Sequence, residues 1–178
     1  GLILILVSVT LINISINSVE LTTISDDEVY ENFQIYSDEY LVLQHPSYLR
    51  FKGSTEKSYL MFTRDEMSNT MPEALMIRVD SADIINDSTR DIIFGLKSNQ
   101  VALNSVTNET SRLAGYDAVK VVVEYDQEIN GVTYQVKSMR VTAIISDIMV
   151  QVVFMSDPVE YGLYIDDIDK LIDSIKLK

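Results

Sequence analysis

Asn130-Gly131 separates two long runs, 118–129 and 132–145, in which Val, Ile, Thr and Tyr are frequent. Asn-Gly suits the two positive-φ positions of a type I′ turn, whose twist matches paired antiparallel strands, so the two runs are expected to form a hairpin. A third run at 148–155 follows a tight turn marked by Asp147. A strand-like stretch at 101–110 precedes the first run across a turn at Leu113-Ala114-Gly115-Tyr116-Asp117-Ala118. The second half of the chain therefore reads as consecutive antiparallel strands, and the remaining elements must pack on that frame.

The first half carries shorter signals. Residues 40–44 form an apolar run stopped by His45-Pro46, because proline has no N–H to donate to a neighbouring strand. Runs at 58–63 and 74–79 have strand length and flank a polar loop over 64–72, so these pieces are expected to form a meander. The period then changes. Ser88 and Asp91 fit a capping box with Asp in place of Glu, and Ile92, Ile93 and Leu96 recur at helical spacing, which predicts a helix over 89–99 with Gly95 inside it. Ser156-Asp157-Pro158 reads as a break in the sheet. Beyond it, Ile165, Ile168, Leu171, Ile172 and Ile175 fall on one face of an amphipathic helix expected over 164–176. That placement puts Asp166, Asp167 and Asp169 in its first turns and Lys176 and Lys178 at its end, the favourable direction for the helix dipole.

Residues 1–19 are apolar at Leu2, Ile3, Leu4, Ile5, Leu6, Val7, Val9, Leu11, Ile12, Ile14 and Ile16. An apolar core of roughly 12 residues has the length of a signal-peptide core, whereas spanning a bilayer takes about 20. Extension to Val19 reaches the longer value but takes in Ser8, Thr10, Asn13, Ser15, Asn17 and Ser18. No small-x-small cleavage site follows, which slightly favours an uncleaved membrane anchor over a cleaved signal peptide; the β-branched content leaves a buried strand as the further alternative. The hydroxyl-rich and acidic stretch 20–27 reads as a solvated spacer, which leaves 28–178 as one folded domain.

Lys and Arg total 14 against 27 Asp and Glu, a formal net charge of −13. This charge repels phosphate backbones and anionic headgroups, so no nucleic-acid partner is expected and the membrane is reached only through the N-terminal segment. The chain has no cysteine, which removes disulfides, thiolate nucleophiles, Cys-ligated metals and a lipidated-cysteine anchor. His45, the only histidine, has no second His or Cys to join it and reads as a turn residue at a strand end. The six glycines are too scattered for a phosphate-cradling loop, and no Gly-x-Ser-x-Gly elbow frames a serine. Carboxylates cluster at Asp26/Asp27/Glu28, Asp65/Glu66, Asp80/Asp83/Asp87 and Asp166/Asp167/Asp169/Asp173. None has calcium-loop spacing, and solvated loops or a helix start explain them; Asp80, Asp83 and Asp87 make the best candidate for weak cation binding. Tyr30, Tyr36, Tyr40, Tyr48 and Tyr59 concentrate in the first half, either flooring a recognition surface or filling sheet edges. Asn86-Asp87-Ser88 and Asn108-Glu109-Thr110 fit the glycosylation acceptor pattern.

The order of a strand ending in His45-Pro46, a helix, the turn with Gly115-Tyr116-Asp117-Ala118, a long hairpin, a third strand and a closing segment from Ile168 to Ile175 resembles the PsbP-like family over 28–178. Family members commonly show Tyr-Pro and then Trp, a Gly-x-x-Ala turn, and a helix ending in Ser-Phe. Here His45 stands for the Tyr, Tyr48 or Tyr59 for the Trp, and Ile175 for the Phe. The resemblance implies an α+β fold: an antiparallel sheet of about six strands with helices packed on both faces, an α-β-α sandwich. It further implies a largely non-catalytic protein that binds a partner protein or assists a membrane complex. No catalytic, metal-binding or cofactor-binding residue is assigned and no cofactor is expected. The chain is thus expected to be an extracytoplasmic, anchored or secreted binding module. A hydrolase using carboxylates with Tyr or Ser, or a carrier of an apolar ligand, are the alternatives.

Overall fold

The computed structural model describes residues 29–54, 59–64, 74–81, 102–129 and 131–178. The N-terminal segment and spacer, the helix expected over 89–99 and the loop after Arg64 lie outside the described residues. Strands β1 (Phe33–Ser37) and β2 (Leu41–Pro46) form a hairpin, and β3 (Leu49–Ser54), β4 (Tyr59–Arg64) and β5 (Ala74–Ser81) follow as an antiparallel meander. Next come β6 (Ala102–Leu113), β7 (Tyr116–Ile129), β8 (Val132–Ile145) and β9 (Ile148–Ser156), in which β7, β8 and β9 each pair antiparallel with the strand before. Helix α1 (Pro158–Ser174) and the short β10 (Lys176–Leu177) complete the described chain.

The long hairpins form for the reason expected of them. Ile129 pairs with Val132 across the Asn-Gly turn, where Gly131 has φ 79°, and Asn130 itself lies outside the described residues. The turn at 113–118 is tighter than expected, because Ala114 (φ 52°) and Gly115 (φ 81°) are both left-handed and close a two-residue loop. The two meanders join where β5 pairs with β9, from Ala74 opposite Met155 to Ser81 opposite Ile148. One sheet of seven strands results, in the order β3-β4-β5-β9-β8-β7-β6. The apolar run at 40–44 is not part of it. From Leu41 it forms the start of β2, which runs on to Pro46 and belongs to a three-stranded sheet in the order β1-β2-β10.

The sandwich with helices on both faces is therefore corrected. The described residues are mostly strand, in a seven-stranded and a three-stranded sheet, and hold one helix. Helix α1 and β2 fill one face of the larger sheet, and no helix among the described residues covers the other. On the filled face, cross-strand neighbours Phe62, Leu75, Phe154 and Met139 make a row across four strands, each at most 1% exposed. Leu41 and Leu43 from β2 and Ile168, Leu171 and Ile172 from α1 pack against them. Full burial of such a side chain contributes about 1.5–3 kcal/mol. The opposite face carries a smaller cluster of Val121, Val123, Tyr125 and Val136.

Helix α1 begins six residues before the expected start. Asp157 caps it, its carboxylate accepting the N–H groups of Val159 and Glu160, and Pro158 fills the first turn, where a missing N–H costs nothing. The expected dipole arrangement falls with that shift: the first-turn acid is Glu160, Asp166 to Asp169 sit mid-helix, and no basic residue occupies the last turn. The apolar face holds. Ile168, Leu171, Ile172 and Ile175 are buried, with Ile165 partly so.

Ile168→Ala is expected to lower the unfolding free energy by about 2–5 kcal/mol through lost burial and a residual cavity. Val159→Ala, at a position 73% exposed on the same helix, should stay within about 0.5 kcal/mol. Urea unfolding of the two variants beside the parent chain checks both values.

Candidate functional site

Beside α1, the turn that leads into β1 and the turn between β2 and β3 approach the helix and leave an open cleft of about 420 Å³. The first turn is built by the Phe33 N–H donating to the Tyr30 carbonyl at 3.1 Å, with Asn32 left-handed at φ 63°. It is held from behind, where the Tyr30 N–H donates to the Gln44 side-chain carbonyl at 2.7 Å and the Ser47 N–H to the Asn32 carbonyl at 2.9 Å. Gln44 is itself buried, so the turn is fastened to the core rather than carried on a loose end.

The cleft is lined by Tyr30, Glu31, Asn32 and Phe33 from this turn, Tyr48 from the next, and Asp167 and Lys170 from one face of α1. Tyr30 and Phe33 meet edge to face, with ring centroids 5.3 Å apart. The Lys170 ammonium lies 5.8 Å from the Phe33 centroid and 3.1 Å from an Asp167 oxygen. The other Asp167 oxygen accepts from the Tyr48 hydroxyl at 3.5 Å. Tyr48 in turn leans on the Tyr164 ring at 4.9 Å, and Arg64 donates to the Tyr164 hydroxyl at 2.7 Å while lying 3.5 Å from Glu160. Aromatic rings, cations and carboxylates thus alternate along one flank of the helix. Each ion pair is partly solvated and worth little to stability, so the ladder sets positions more than it holds the fold.

Chemically, the cleft offers flat apolar faces with hydrogen-bonding groups at their edges, the composition of a recognition surface. It is open to solvent. Glu31 and Asp167 both line it, but Lys170 and Tyr48 already engage Asp167.

The residues singled out in the sequence fall in several places. Tyr30 and Tyr48 come together here, whereas Tyr36 stacks on Phe51 and Phe62 and Tyr40 stands 52% exposed away from the cleft. Burial, with Asp38 beside it, pushes the Tyr36 hydroxyl up to about 12. Of the helix acids, Asp167 reaches the cleft and Asp169 pairs instead with Lys120 at 3.5 Å. Burial raises the Asp169 carboxyl above its ordinary range, with Lys120 opposing that rise. Asp80 pairs with Arg78 at 2.6 Å, while Asp83 and Asp87 lie outside the described residues, as do Asp26, Asp27, Glu28, Asp65, Glu66 and Asn86. Among the described residues no three His, Cys, Asp or Glu side chains gather in a metal-holding arrangement. Phe33 and Glu31 carried no sequence signal; for Lys170 the i, i+3 spacing from Asp167 on an amphipathic helix was the one signal of their side-by-side placement.

His45 is a core residue and not a solvated turn residue. It is 6% exposed, its ring lies 5.0 Å from that of Phe62, and Nδ1 donates to the Pro46 carbonyl at 3.0 Å. Desolvation holds its pKa below 6.5, against the opposing effect of its backbone hydrogen bonds. The unfolded chain therefore takes up this proton more readily than the folded one. The contribution to stability is complete above pH 6.5 and is lost as pH falls through the folded-state pKa. Urea midpoints between about pH 5 and 8 should fall on the acid side for the parent chain and flatten there in His45→Gln, above the range in which ordinary carboxylates titrate.

No protein-family model matches the chain, and no curated protein matches it. Solved structures do. The cyanobacterial PsbP (CyanoP) of Synechocystis superposes with a TM-score of 0.53 at 14% identity, covering 89% of this chain and 99% of that one. LpqN of Mycobacterium tuberculosis, described as involved in cell envelope biogenesis, gives 0.53 at 15% identity over 83% and 92%. A Bacteroides thetaiotaomicron protein gives 0.53 at 12% identity over 83% of this chain, which spans only 49% of that protein. At these identities the likeness concerns the fold, and the chain shares the PsbP-like fold.

Proposed function

We propose that the protein is a non-enzymatic recognition module of the PsbP-like kind. It works outside the cytoplasm, held at a membrane by its N-terminal segment, and engages a partner protein or membrane complex through the cleft beside α1. The observation that carries this reading is the construction of the cleft: Tyr30, 39% exposed, projects from a turn that Gln44 fastens to the core, so aromatic surface is presented to solvent at little conformational cost. Tyrosine anchors of this kind supply a large share of binding energy at interfaces. The envelope setting draws support from the fold shared with LpqN, which is described as involved in cell envelope biogenesis.

A photo-crosslinking side chain placed at Tyr30 or Tyr48 in native membranes should yield one discrete adduct, and the same group at Val132, at the far end of the β7–β8 hairpin, should not. Once the partner is in hand, Tyr30→Ala with Tyr48→Ala should weaken binding about 30-fold or more, as expected when hot-spot rings are removed. Identical adducts from cleft and control positions would remove the cleft from the proposal. Turnover of a small substrate by the purified protein, abolished by a single substitution, would remove the non-enzymatic assignment.

A further inference from the structure

We infer that Asn108 is a site of N-linked glycosylation. The acceptor pattern Asn108-Glu109-Thr110 lies in the middle of β6, the outermost strand of the larger sheet, with β7 on one side and no strand beyond it among the described residues. Residues two apart on a strand project from the same face, which sets the acceptor amide beside the threonine hydroxyl. All of 104–110 is exposed. A bulky polar glycan requires such a position, whereas Val121, directly across on β7, is 1% exposed.

The two sheet edges supply an independent reason. An outer strand presents unpaired N–H and C=O groups to any other chain, and proteins blunt such edges. Strand β3, at the opposite edge, is six residues long, is broken by a bulge between Phe51 and Gly53, and carries Arg50 and Lys52. Strand β6 is twelve residues long, and its bulge lies near its start, between Leu103 and Ser105, so the ladder from Ser105 to Leu113 is unbroken. A glycan at Asn108 stands close to the middle of that unbroken stretch and closes it to further strand pairing.

The transfer joins Asn108 Nδ2 to the anomeric carbon of an oligosaccharide carried on a polyisoprenyl phosphate or diphosphate. The anomeric C–O bond breaks, the lipid phosphate leaves with the electron pair, and Nδ2 gives up one proton. A membrane transferase on the outer side of the exporting membrane supplies the lipid-linked sugar, so this inference rests on the extracytoplasmic part of the reading above. Protein isolated from its native cells and cut with trypsin tests it, because cleavage after Lys97 and Arg112 releases the peptide 98–112. Mass spectrometry should find that peptide shifted by a glycan mass on Asn108, the shift lost in Thr110→Ala and kept in Thr110→Ser. Protease shaving of intact cells reports location separately. An unmodified peptide from shaving-accessible protein overturns the glycan alone, and an unmodified peptide from shaving-protected protein overturns both the glycan and the location.

Discussion

One buried contact ties the two sheets, the helix and the cleft together. The Ser174 hydroxyl accepts the Gln44 N–H at 2.8 Å and donates to the Leu171 carbonyl at 2.7 Å, where the last turn of α1 meets β2. Both residues are buried, so an unmet N–H there would cost about 1–3 kcal/mol, and that cost fixes the height at which the helix sits on the strand. With that height set, the apolar stripe of α1 meets the row Phe62, Leu75, Phe154 and Met139. The Gln44 side chain, held by the same register, then reaches out to the Tyr30 N–H. Cleft geometry is in this sense a by-product of core closure. β10 locks the arrangement from the other side, pairing Lys176 with Val42 and Leu177 with Leu41, while Lys178 reaches Ser37 and the Asp38 carbonyl.

The parts of this fold legible in the sequence are those whose cause is local. Asn130-Gly131 and the β-branched runs on either side were enough for the long hairpins, because turn chemistry and alternation act over neighbouring residues. Asp157-Pro158 was local too, but it has two meanings: a proline that ends a strand also opens a helix when a capping carboxylate precedes it, and both apply here, since β9 ends at Ser156 and α1 starts at Pro158. Strand β2 could not be assigned to a sheet. All six of its residues are buried, so it shows no alternation, and its partner β10 is two residues long and lies far along the chain. The resemblance to the PsbP-like family led to the right fold relatives, yet helices on both faces did not follow for the described residues. For the cleft, the clustering of tyrosines was visible, but Tyr30 and Tyr48 converge through Gln44 and α1, and no spacing rule encodes such distant contacts.

The surface divides its work by the kind of element that bears it. Along the flank of α1, rings and charges already pair with one another, so an incoming group exchanges partners there without stripping water from isolated charges, a milder penalty than burying an unpaired ion. The outer strand of the larger sheet has the opposite character: a continuous backbone edge with small polar side chains and no aromatic anchor over 104–110. In the functions proposed above, recognition and shielding thus fall at different parts of the molecule.

Helix α1 and β10 follow every strand of the seven-stranded sheet in the chain, and they lid its most apolar face. A nascent polypeptide therefore presents Phe62, Leu75, Met139 and Phe154 as a greasy platform covered only by β2 until the stretch from Pro158 onward emerges. During that interval the platform is a client for holding chaperones and a nucleus for aggregation. A stall shortly before Pro158 would therefore leave the strands of the larger sheet in place with only β2 to cover that face.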